Sequence, residues 1–370
     1  MKSSNHGDLG LIVLSSCAEL GHLLDERILQ LRGEEDDDKS YIIPHEEVRF
    51  SNGEGKIRLM DTVRGKDIYV LCDVGNYSCT YKMFGFENRM GPDEHFQDVK
   101  RVLSAIGGKA NRVTVVMPLM YASRQHKRKG RESLDCAMAL KELENLGVNA
   151  ILTFDVHDPT IHNAIPNTTF ENIFPTYSML KSFITNEGNN IIRDNMTVIS
   201  PDTGAMDRAI YYANTLGVDV GMFYKRRDHS VVVNGKNPIV QHEYIGGSLN
   251  EKKVFIVDDM IASGESIIDI INEIQKQEVG QTFVATTFAF FTEGVEKFDM
   301  LYEKGALTKL YTTNLSYIPA EIKARPWFCE VDLSKYTAKI INTLSRDDSI
   351  SSLLDATFRI RKLINKEAKK

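Results

Sequence analysis

One segment, residues 252–268, restricts the local fold more than any other part of the chain. Residues 254–257 form an apolar run of the kind that is buried on both faces of a parallel sheet. Asp258 and Asp259 follow, and a turn of small residues then leads to isoleucines at helical spacing from Ile267 to Ile274. The pattern predicts a strand, a tight turn and a helix in direct succession.

The predicted turn is suited to binding a phosphate. The first N–H groups of a helix lack internal partners, and the helix dipole adds positive potential there. Ser263 and Ser266 can donate hydroxyl hydrogen bonds, and Gly264 allows a close approach of the backbone. Asp258 and Asp259 would repel a bare phosphate, so they suit a neighbouring group: sugar hydroxyls, a metal, or both. The plainer alternative is an ordinary strand–turn–helix with an acidic turn.

Residues 254–266 resemble the phosphoribosyl pyrophosphate (PRPP) signature of the type I phosphoribosyltransferase superfamily. The resemblance implies that Asp258 and Asp259 bind the ribose hydroxyls of a ribose 5-phosphate group. It also implies a loop for the 5-phosphate, made of Ser263, Gly264, Glu265 and Ser266. Since this superfamily has many activities, the rest of the chain must indicate which one applies.

Composition sets the broad class of the protein. The chain has 370 residues, enough for two domains, and its 42% hydrophobic and 26% charged residues are typical of a soluble globular protein. A net charge of −6 argues against a nucleic-acid partner. No apolar run approaches the roughly 20 residues that span a bilayer, and the first residues lack a signal-peptide core. With five scattered cysteines and no metal-type spacing, we expect a reduced, cytoplasmic protein without membrane contact.

Apolar runs of strand type alternate with helical patterns along the whole length. This order predicts an α/β fold with parallel sheets and crossover connections, in two halves of similar order. Residues 77–92 lack periodicity and are interpreted as an inserted loop. Residues 231–245 are interpreted as a long hairpin or flap with a turn at Asn234-Gly235, and residues 351–370 as a terminal helix.

Polar residues directly follow several of the predicted strands. They are Asp155, His157, Asp202, Lys225, Arg227, Asp258 and Asp259. Ligands of parallel sheets bind beyond the carboxyl ends of the strands. The shared position of these residues therefore predicts binding sites at that edge, independently of any family.

Lys225 and Arg227 are two residues apart on a strand or its extension, so their side chains point to the same side. Two cations at one spot suit a polyphosphate whose charge shifts during transfer. A solvated basic turn is the alternative for an isolated Lys-Arg-Arg run. The acidic motif and the flap that follow favour the first interpretation.

His157 and Asp202 each come just after a predicted strand. Together they could form part of a Mg²⁺ site, directly or through waters, because Mg²⁺ keeps several waters and uses few protein groups. Taken alone, His157 favours a structural hydrogen bond over a metal ligand, and His is not the preferred ligand of Mg²⁺.

Two further segments carry groups suited to a nucleotide. Arg124 and Gln125 begin a basic loop that offers an amide for base or ribose contacts and cations for phosphates. Phe50, Asn52 and Glu54 alternate, which would place an aromatic face and two polar groups on one side. Stacking together with hydrogen bonding is what an adenine site needs. Many turns carry a similar triplet, so it gains weight only beside the other motifs.

In this order the motifs resemble those of the ribose-phosphate pyrophosphokinase family, over about residues 9–354. The resemblance implies an α/β fold of two tandem phosphoribosyltransferase-like domains, each a mostly parallel sheet flanked by helices, with the active site between them. We expect domains over residues 1–185 and 186–345 and a helical tail over 346–370. The implied reaction transfers pyrophosphate from Mg-ATP to the C1 hydroxyl of ribose 5-phosphate, giving PRPP and AMP, in a homo-oligomer.

The same resemblance implies a role for each remaining candidate. ATP would contact residues of two segments, the first of them reaching in from a neighbouring subunit: Phe50, Asn52 and Glu54, then Arg124 and Gln125. His157 and Asp202 would serve the Mg²⁺ site. Lys225 and Arg227 would be catalytic and stabilise the transferred group.

The chain also departs from the family pattern. Ala262 stands where the family usually carries Asp, and Glu265 stands where Gly is common. Residues 77–92 are an insertion, and His126 replaces a typical Asp. Two alternatives stay open: a non-catalytic regulatory paralogue that assembles with an active synthetase, and a phosphoribosyltransferase that consumes PRPP.

Overall fold

Strands and helices alternate along the chain, as the apolar runs predicted. The computed structural model describes residues 6–34, 39–128, 130–188, 195–227 and 239–367. Within the strands and helices, the side chains of residues 225–227, 239–242 and 365–367 lie outside the described part. The predicted turn at Asn234-Gly235 lies outside it as well.

The strands and helices are numbered in chain order. The strands are β1 Leu9–Val13, β2 His45–Arg49, β3 Gly55–Leu59, β4 Asp67–Leu71, β5 Thr80–Met83, β6 Phe86–Arg89, β7 Arg112–Val116, β8 Ala150–Phe154, β9 Thr169–Ile173, β10 Met196–Ser200, β11 Asp219–Arg227, β12 Ile239–Ile245, β13 Lys253–Ile261, β14 Gln281–Ala289, β15 Lys309–Thr313 and β16 Phe328–Val331. The α-helices are α1 Ala18–Arg32, α2 Pro92–Ile106, α3 Asp135–Asn145, α4 Thr176–Glu187, α5 Met206–Leu216, α6 Glu265–Gln275, α7 Glu296–Glu303, α8 Ala320–Lys323, α9 Ser334–Leu344, α10 Ser351–Leu354 and α11 Ala356–Glu367.

The first of two compact units contains a five-stranded parallel sheet in the order β1-β4-β7-β8-β9. β1 and β4 are buried at every residue, which explains why both are apolar runs rather than alternating ones. The core on one sheet face includes the fully buried Val70, Val115 and Ile151. This unit comprises residues 1–174, 314–317 and 332–354.

The second unit contains a seven-stranded sheet in the order β12-β11-β10-β13-β14-β15-β16. Its strands are parallel except for β12, which lies in the segment predicted as a hairpin or flap and runs antiparallel to β11. Ile256, Val284 and Leu310 are fully buried in its core. The unit comprises residues 175–313, 318–331 and 355–370.

The units depart from the predicted domain division. Residue 185 lies inside α4, which belongs wholly to the second unit, and α9 and α10 belong to the first. The predicted terminal helix is two helices, α10 and α11, separated at Asp355. Both α/β halves are nevertheless present, each with a mostly parallel sheet.

The segment predicted as an inserted loop forms a β-hairpin, β5–β6, called here the inserted hairpin (residues 80–89). Phe84 and Gly85 form its two-residue turn, and both have positive φ, 49° and 82°. Its strands are short and largely exposed, so they lack the continuous apolar run that identified the other strands.

None of the helices in the described part of the chain combines the length and the apolar character needed to cross a membrane.

Candidate active site

Three neighbouring strands of the second unit bring the predicted polar residues to one edge of the sheet. β10 pairs in parallel with β11 on one side and with β13 on the other. Asp202 follows β10, Lys225 and Arg227 end β11, and the acidic pair lies near the end of β13. Because the carboxyl ends of parallel strands meet at one edge, these backbone positions converge.

The acidic pair lies within a strand rather than after one. β13 continues to Ile261 because its pairing with β14 extends past Asp258↔Thr286 to Ile261↔Ala289. The N–H of Asp259 donates to Oδ1 of Asp258 at 2.9 Å. Asp259 is buried, and 21% of the Asp258 side chain is exposed.

Burial and mutual repulsion dominate the electrostatics of the pair. Removal from water, and then the charge of Asp259, raise the pKa of Asp258 well above its ordinary value. Arg208 of α5 opposes this, with its Nη1 3.8 Å from Oδ1 of Asp258. The arrangement therefore favours any ligand that brings hydroxyl donors or positive charge to these carboxylates.

Arg208 was missed by the sequence prediction. Its side chain is only 12% exposed, and it shares a helical face with Tyr212 and Thr215, four and seven residues later, which are both buried. An arginine on an otherwise buried face needs an acidic partner. That pattern was present in the sequence and could have identified it.

The predicted phosphate loop joins β13 to α6. Gly264 is the N-cap of α6, with φ of +87°, and a Cβ on it would lie 2.6 Å from a ring carbon of Phe298. Both facts require glycine there. Four isoleucines on one face of α6 are buried and hold the helix against the core. The helix N-terminus is thus presented at the carboxyl end of β13, as predicted.

The loop's polar side chains lie at the surface of the second unit. The N–H of Glu265 donates to Ser263 Oγ at 3.4 Å, and Glu265 and Ser266 are exposed in the first turn of α6. Exposure leaves the Glu265 carboxylate in water, where its charge is screened. Ser266 and the first amides of α6 are the donors that a phosphate would contact.

Asp202 shapes its own turn after β10. Its Oδ1 accepts hydrogen bonds from the N–H groups of Gly204 at 2.9 Å and Ala205 at 3.2 Å. The Ser200 hydroxyl donates to the carbonyl oxygen of Asp202 at 2.7 Å. The turn is therefore held in a fixed form before any ligand is present.

Lys225 and Arg227 belong to β11, the strand next to β10. Lys225 pairs with His242 of β12, and the register shifts between Arg226 and Arg227. The side chains of Lys225 and Arg227 lie outside the described residues, so only their backbone places are assigned.

In the first unit, Asp155 and His157 follow β8, as predicted. Asp155 is buried with a positive φ of 43°, whereas His157 is exposed. The His157 ring lies 5.3 Å from the ring of His126, between centroids. His126 belongs to the basic loop, so this loop lies beside the end of β8.

A charged contact fixes the same region. Asp158 accepts from Lys127 Nζ at 2.7 Å and from the Thr160 hydroxyl at 2.6 Å. Burial alone would raise the pKa of Asp158, but these hydrogen bonds outweigh burial and lower it. Arg124 and Gln125, which begin the loop, are exposed.

Residues 50–54 form the turn between β2 and β3, called here the Phe50 turn. The alternation expected of an extended strand does not apply, because the Phe50 N–H donates to the Glu54 carbonyl oxygen and closes the turn. The turn nonetheless brings Asn52 and Glu54 together, with Asn52 Nδ2 donating to Glu54 Oε2 at 2.9 Å. The Phe50 side chain is 48% exposed.

A metal-binding cluster is not evident from side-chain geometry alone. Among the residues that the structure describes, no three His, Cys, Asp or Glu side chains are grouped so that they could hold a metal ion. His157 and Asp202, the predicted metal residues, belong to the first and second unit respectively.

Comparison with known proteins identifies both halves. Residues 9–147 match the family model of the N-terminal domain of ribose phosphate pyrophosphokinase, and residues 179–293 match that of the phosphoribosyl transferase domain. Together these matches span well over half of the chain. The matched regions contain the Phe50 turn, the basic loop, Lys225 and the acidic pair.

Similar proteins agree with these matches. The chain is 25% identical over 312 residues to a ribose-phosphate pyrophosphokinase of Vibrio cholerae, covering 83% of this chain and 90% of that protein. It is 26% identical over 313 residues to one of Mycoplasma genitalium, covering 83% and 85%. The fold matches a phosphoribosylpyrophosphate synthetase from Mycobacterium smegmatis with a TM-score of 0.73 at 19% identity, covering 92% of this chain and 99% of that one. By the two family matches and the curated relatives, this chain belongs to the ribose-phosphate pyrophosphokinase family.

Proposed function

We propose that this protein transfers pyrophosphate from Mg-ATP to the C1 hydroxyl of ribose 5-phosphate, giving PRPP and AMP. The observation that carries the proposal is the convergence of three strand ends in the second unit. There, the Asp202 turn, the backbone of Lys225 and Arg227, and the pair Asp258–Asp259 share one sheet edge. That edge offers places for a sugar phosphate and for a polyphosphate side by side.

Ribose 5-phosphate is proposed to bind between the acidic pair and the start of α6. The carboxylates of Asp258 and Asp259 would accept hydrogen bonds from ribose hydroxyls, which relieves the burial and repulsion that raise the pKa of Asp258. The 5-phosphate would contact Ser263, Gly264, Glu265 and Ser266 through backbone amides and hydroxyls at the helix N-terminus. Glu265 would contribute its amide, since its carboxylate faces solvent.

The transfer step mainly requires that the protein position the two substrates and stabilise the charge on the transferred group. The C1 oxygen attacks the β-phosphorus of ATP, the bond from that phosphorus to the bridging oxygen breaks, and AMP leaves with that oxygen. The hydroxyl proton passes to water. Lys225 and Arg227, two residues apart on β11, would neutralise the charge that develops on the transferred group.

ATP is proposed to use residues of the first unit, through two segments. Phe50 offers an exposed ring for stacking, and the paired Asn52 and Glu54 offer hydrogen bonds to a base edge. Arg124 and Gln125, exposed on the basic loop, would contact the rest of the nucleotide. We expect the Phe50 turn to serve an ATP held by a neighbouring subunit, so the protein would be a homo-oligomer.

Magnesium is proposed to accompany ATP. When bound, Mg²⁺ draws charge from the phosphates and orients them for attack. The residues present fit such an ion, because the edge that carries Asp202 also carries the carboxylates of Asp258 and Asp259, and carboxylate oxygen is its preferred protein ligand. His157 and Asp202 would hold it directly or through waters.

A non-catalytic regulatory paralogue is the second candidate, and one observation favours it. Ala262 lies in the phosphate loop between the acidic pair and Gly264, and it cannot supply the carboxylate that the family usually has there. A PRPP-consuming phosphoribosyltransferase is less well supported, because it gives no role to the Phe50 turn or the basic loop.

We also infer a cytoplasmic location, since the five cysteines are free thiols.

An assay of the purified protein tests the proposal. ATP, Mg²⁺ and ribose 5-phosphate are supplied, and AMP and PRPP are measured for the wild type, Lys225→Ala and Lys276→Ala. Lys276 is a matched control, an exposed lysine that directly follows α6 and pairs with Glu273. We expect product from the wild type and Lys276→Ala, and at least about a hundredfold less from Lys225→Ala.

Two outcomes would contradict the proposal. Equal product from the wild type and Lys225→Ala would show that any AMP comes from a contaminant. Product that appears only when a second, active synthetase is added would support the regulatory paralogue instead.

A further inference from the structure

The inserted hairpin is packed onto the Phe50 turn. The N–H of Phe84, at the hairpin tip, donates to the carbonyl oxygen of Ser51 at 2.8 Å. Met83 lies so close to the turn that a Cβ on Gly53 would be 2.6 Å from its sulfur. The tip of the hairpin and the Phe50 turn are therefore one packed surface.

Further contacts anchor the rest of the hairpin. The Tyr81 hydroxyl donates to Glu94 Oε1 of α2 at 2.7 Å. Within β6, Asn88 Nδ2 donates to the carbonyl oxygen of Phe86 at 3.0 Å. The hairpin is thus held at two places: β5 contacts α2 through Tyr81, and the tip contacts the Phe50 turn.

The residue at the tip is chemically unexpected. Phe84 has φ of +49° and precedes Gly85 with φ of +82°, the pattern of a type I′ turn, in which Asn or Asp is the favoured first residue. A bulky side chain in this backbone region is strained. Its ring gains nothing from burial in return, because the residue is 74% exposed. An aromatic ring held at such a place has its use in contact with a ligand or partner.

The surroundings indicate a flat aromatic ligand. Phe50 and Phe86, 48% and 75% exposed, are carried by the same packed surface. Beside them, Asn52 and Glu54 supply an amide and a carboxylate. Exposed rings next to such groups match a purine base, which needs a stacking face and hydrogen bonds at its edge.

We propose that the inserted hairpin completes the adenine site, with Phe84 stacking on the base of ATP beside Phe50. The inference rests on the proposed function, in which the Phe50 turn binds adenine. It assigns a substrate-binding role to an insertion, and it makes Phe84 a determinant of ATP affinity and of preference for a purine nucleotide.

The test replaces Phe84 by Asn in the full-length protein. Asn is favoured in this turn, so Phe84→Asn removes the ring without straining the fold, and its melting temperature should equal or exceed that of the wild type. We expect the KM for ATP to rise about tenfold, with kcat and the KM for ribose 5-phosphate within twofold of wild type. Phe84→Tyr keeps an aromatic ring at the tip, so its KM for ATP should stay close to the wild-type value.

Phe358→Ala is the matched control, since Phe358 is another exposed aromatic residue, on α11, and should leave every constant unchanged. A KM for ATP within twofold of wild type in Phe84→Asn would overturn the inference. Smaller assemblies together with an unchanged KM would assign the tip to contact between copies, and would overturn it too. A rise in both KM values with a lower melting temperature would indicate a structural role only.

Direct binding separates this inference from the proposed function. The ATP dissociation constant is measured by calorimetry with Mg²⁺ and without ribose 5-phosphate, for the wild type and Phe84→Asn. If the wild type binds ATP but makes no PRPP, the proposed function fails while the binding ratio still decides the role of Phe84. A ratio near one would refute that role.

Discussion

Single buried carboxyl groups of the first unit differ in how their charge is compensated. Asp67, fully buried, receives two hydrogen bonds from the Arg112 guanidinium, at 2.8 and 2.6 Å. Asp73 is also buried, but within the described part of the chain its hydrogen bonds come from neutral donors, among them the Ser316 hydroxyl at 2.9 Å and the Tyr317 N–H at 3.1 Å. Burial therefore raises the pKa of Asp73 to about 6, despite these hydrogen bonds.

A raised pKa makes the contribution of Asp73 to stability depend on pH. The contribution is fully present below the unfolded-state pKa, near 4, and is lost as pH rises through about 6. Asp73→Asn removes this titration and keeps an oxygen acceptor. We expect the unfolding free energy of wild type relative to Asp73→Asn to fall by about 1 kcal/mol from pH 5 to pH 8 in urea titrations. A difference in unfolding free energy that stays flat from pH 5 to pH 8 would contradict the assignment.

At the scale of secondary structure, the sequence predicted the elements that are buried either at every residue or along one helical face. β1 and β4 are buried at every residue, so their sequences are continuous apolar runs, and α6 buries one isoleucine face, so its isoleucines have helical spacing. β9 and β16 were missed because they are sheet-edge strands with few buried residues. The extension of β13 through Asp258 was missed because two consecutive acidic residues after an apolar run are typical of the end of a strand.

The inserted hairpin was not predicted, because it lacks both the sequence signal of buried strands and that of a hairpin turn. Its strands bury little, and its turn carries Phe84-Gly85 rather than the Asn-Gly or Asp-Gly that would have marked a hairpin. Sequence reasoning therefore predicted a loop. Phe84, which replaces the expected Asn or Asp of such a turn, is also the residue for which we propose a ligand-binding role.

The start of α6 depends on a single glycine. Gly264→Ala places a Cβ in a strained backbone conformation and against Phe298, so we expect a loss of about 2 kcal/mol in unfolding free energy. The KM for ribose 5-phosphate should rise as the phosphate loop shifts. Gly247→Ala is the control, because its Cβ would meet nothing within 4 Å and its φ is not positive, and it should change stability by under about 0.5 kcal/mol.

A double-mutant cycle identifies the cause of that loss. Phe298→Leu makes room at the site, so Gly264→Ala should cost less in its presence than in the wild type. Equal costs in both backgrounds would mean that the close approach to Phe298 is unimportant. No cost in either would refute the requirement for glycine.

For the whole molecule, the alternation of strands and helices predicted two α/β halves. Parallel pairing of the strands predicted that the polar residues at their carboxyl ends would meet at one edge of a sheet. The membership of the units could not be predicted, because it depends on contacts between distant residues. α9 joins the first unit through α1, where Arg32 donates to Asn342 and Ser345, both at 2.8 Å, across more than 300 residues of sequence. Local periodicity gives no information about contacts between residues that are so far apart in the sequence.

The assembled site shows the same division. Asp202, Lys225, Arg227 and the acidic pair could be assigned to one sheet edge because each lies at or near the end of a strand. Arg208 was missed: its helical pattern indicates that it needs an acidic partner, but that the partner is Asp258 depends on the pairing of β10 with β13. Motif order across both units, rather than any single motif, pointed to the family.

The central claim is that this chain moves the terminal two phosphates of ATP as one group onto the C1 oxygen of ribose 5-phosphate. Phosphorus NMR of the reaction mixture follows every phosphate at once. We predict that AMP and PRPP accumulate in equal amounts as ATP and ribose 5-phosphate disappear, without ADP or free phosphate. ATP that stays intact, or that yields ADP or pyrophosphate without PRPP, would contradict the claim.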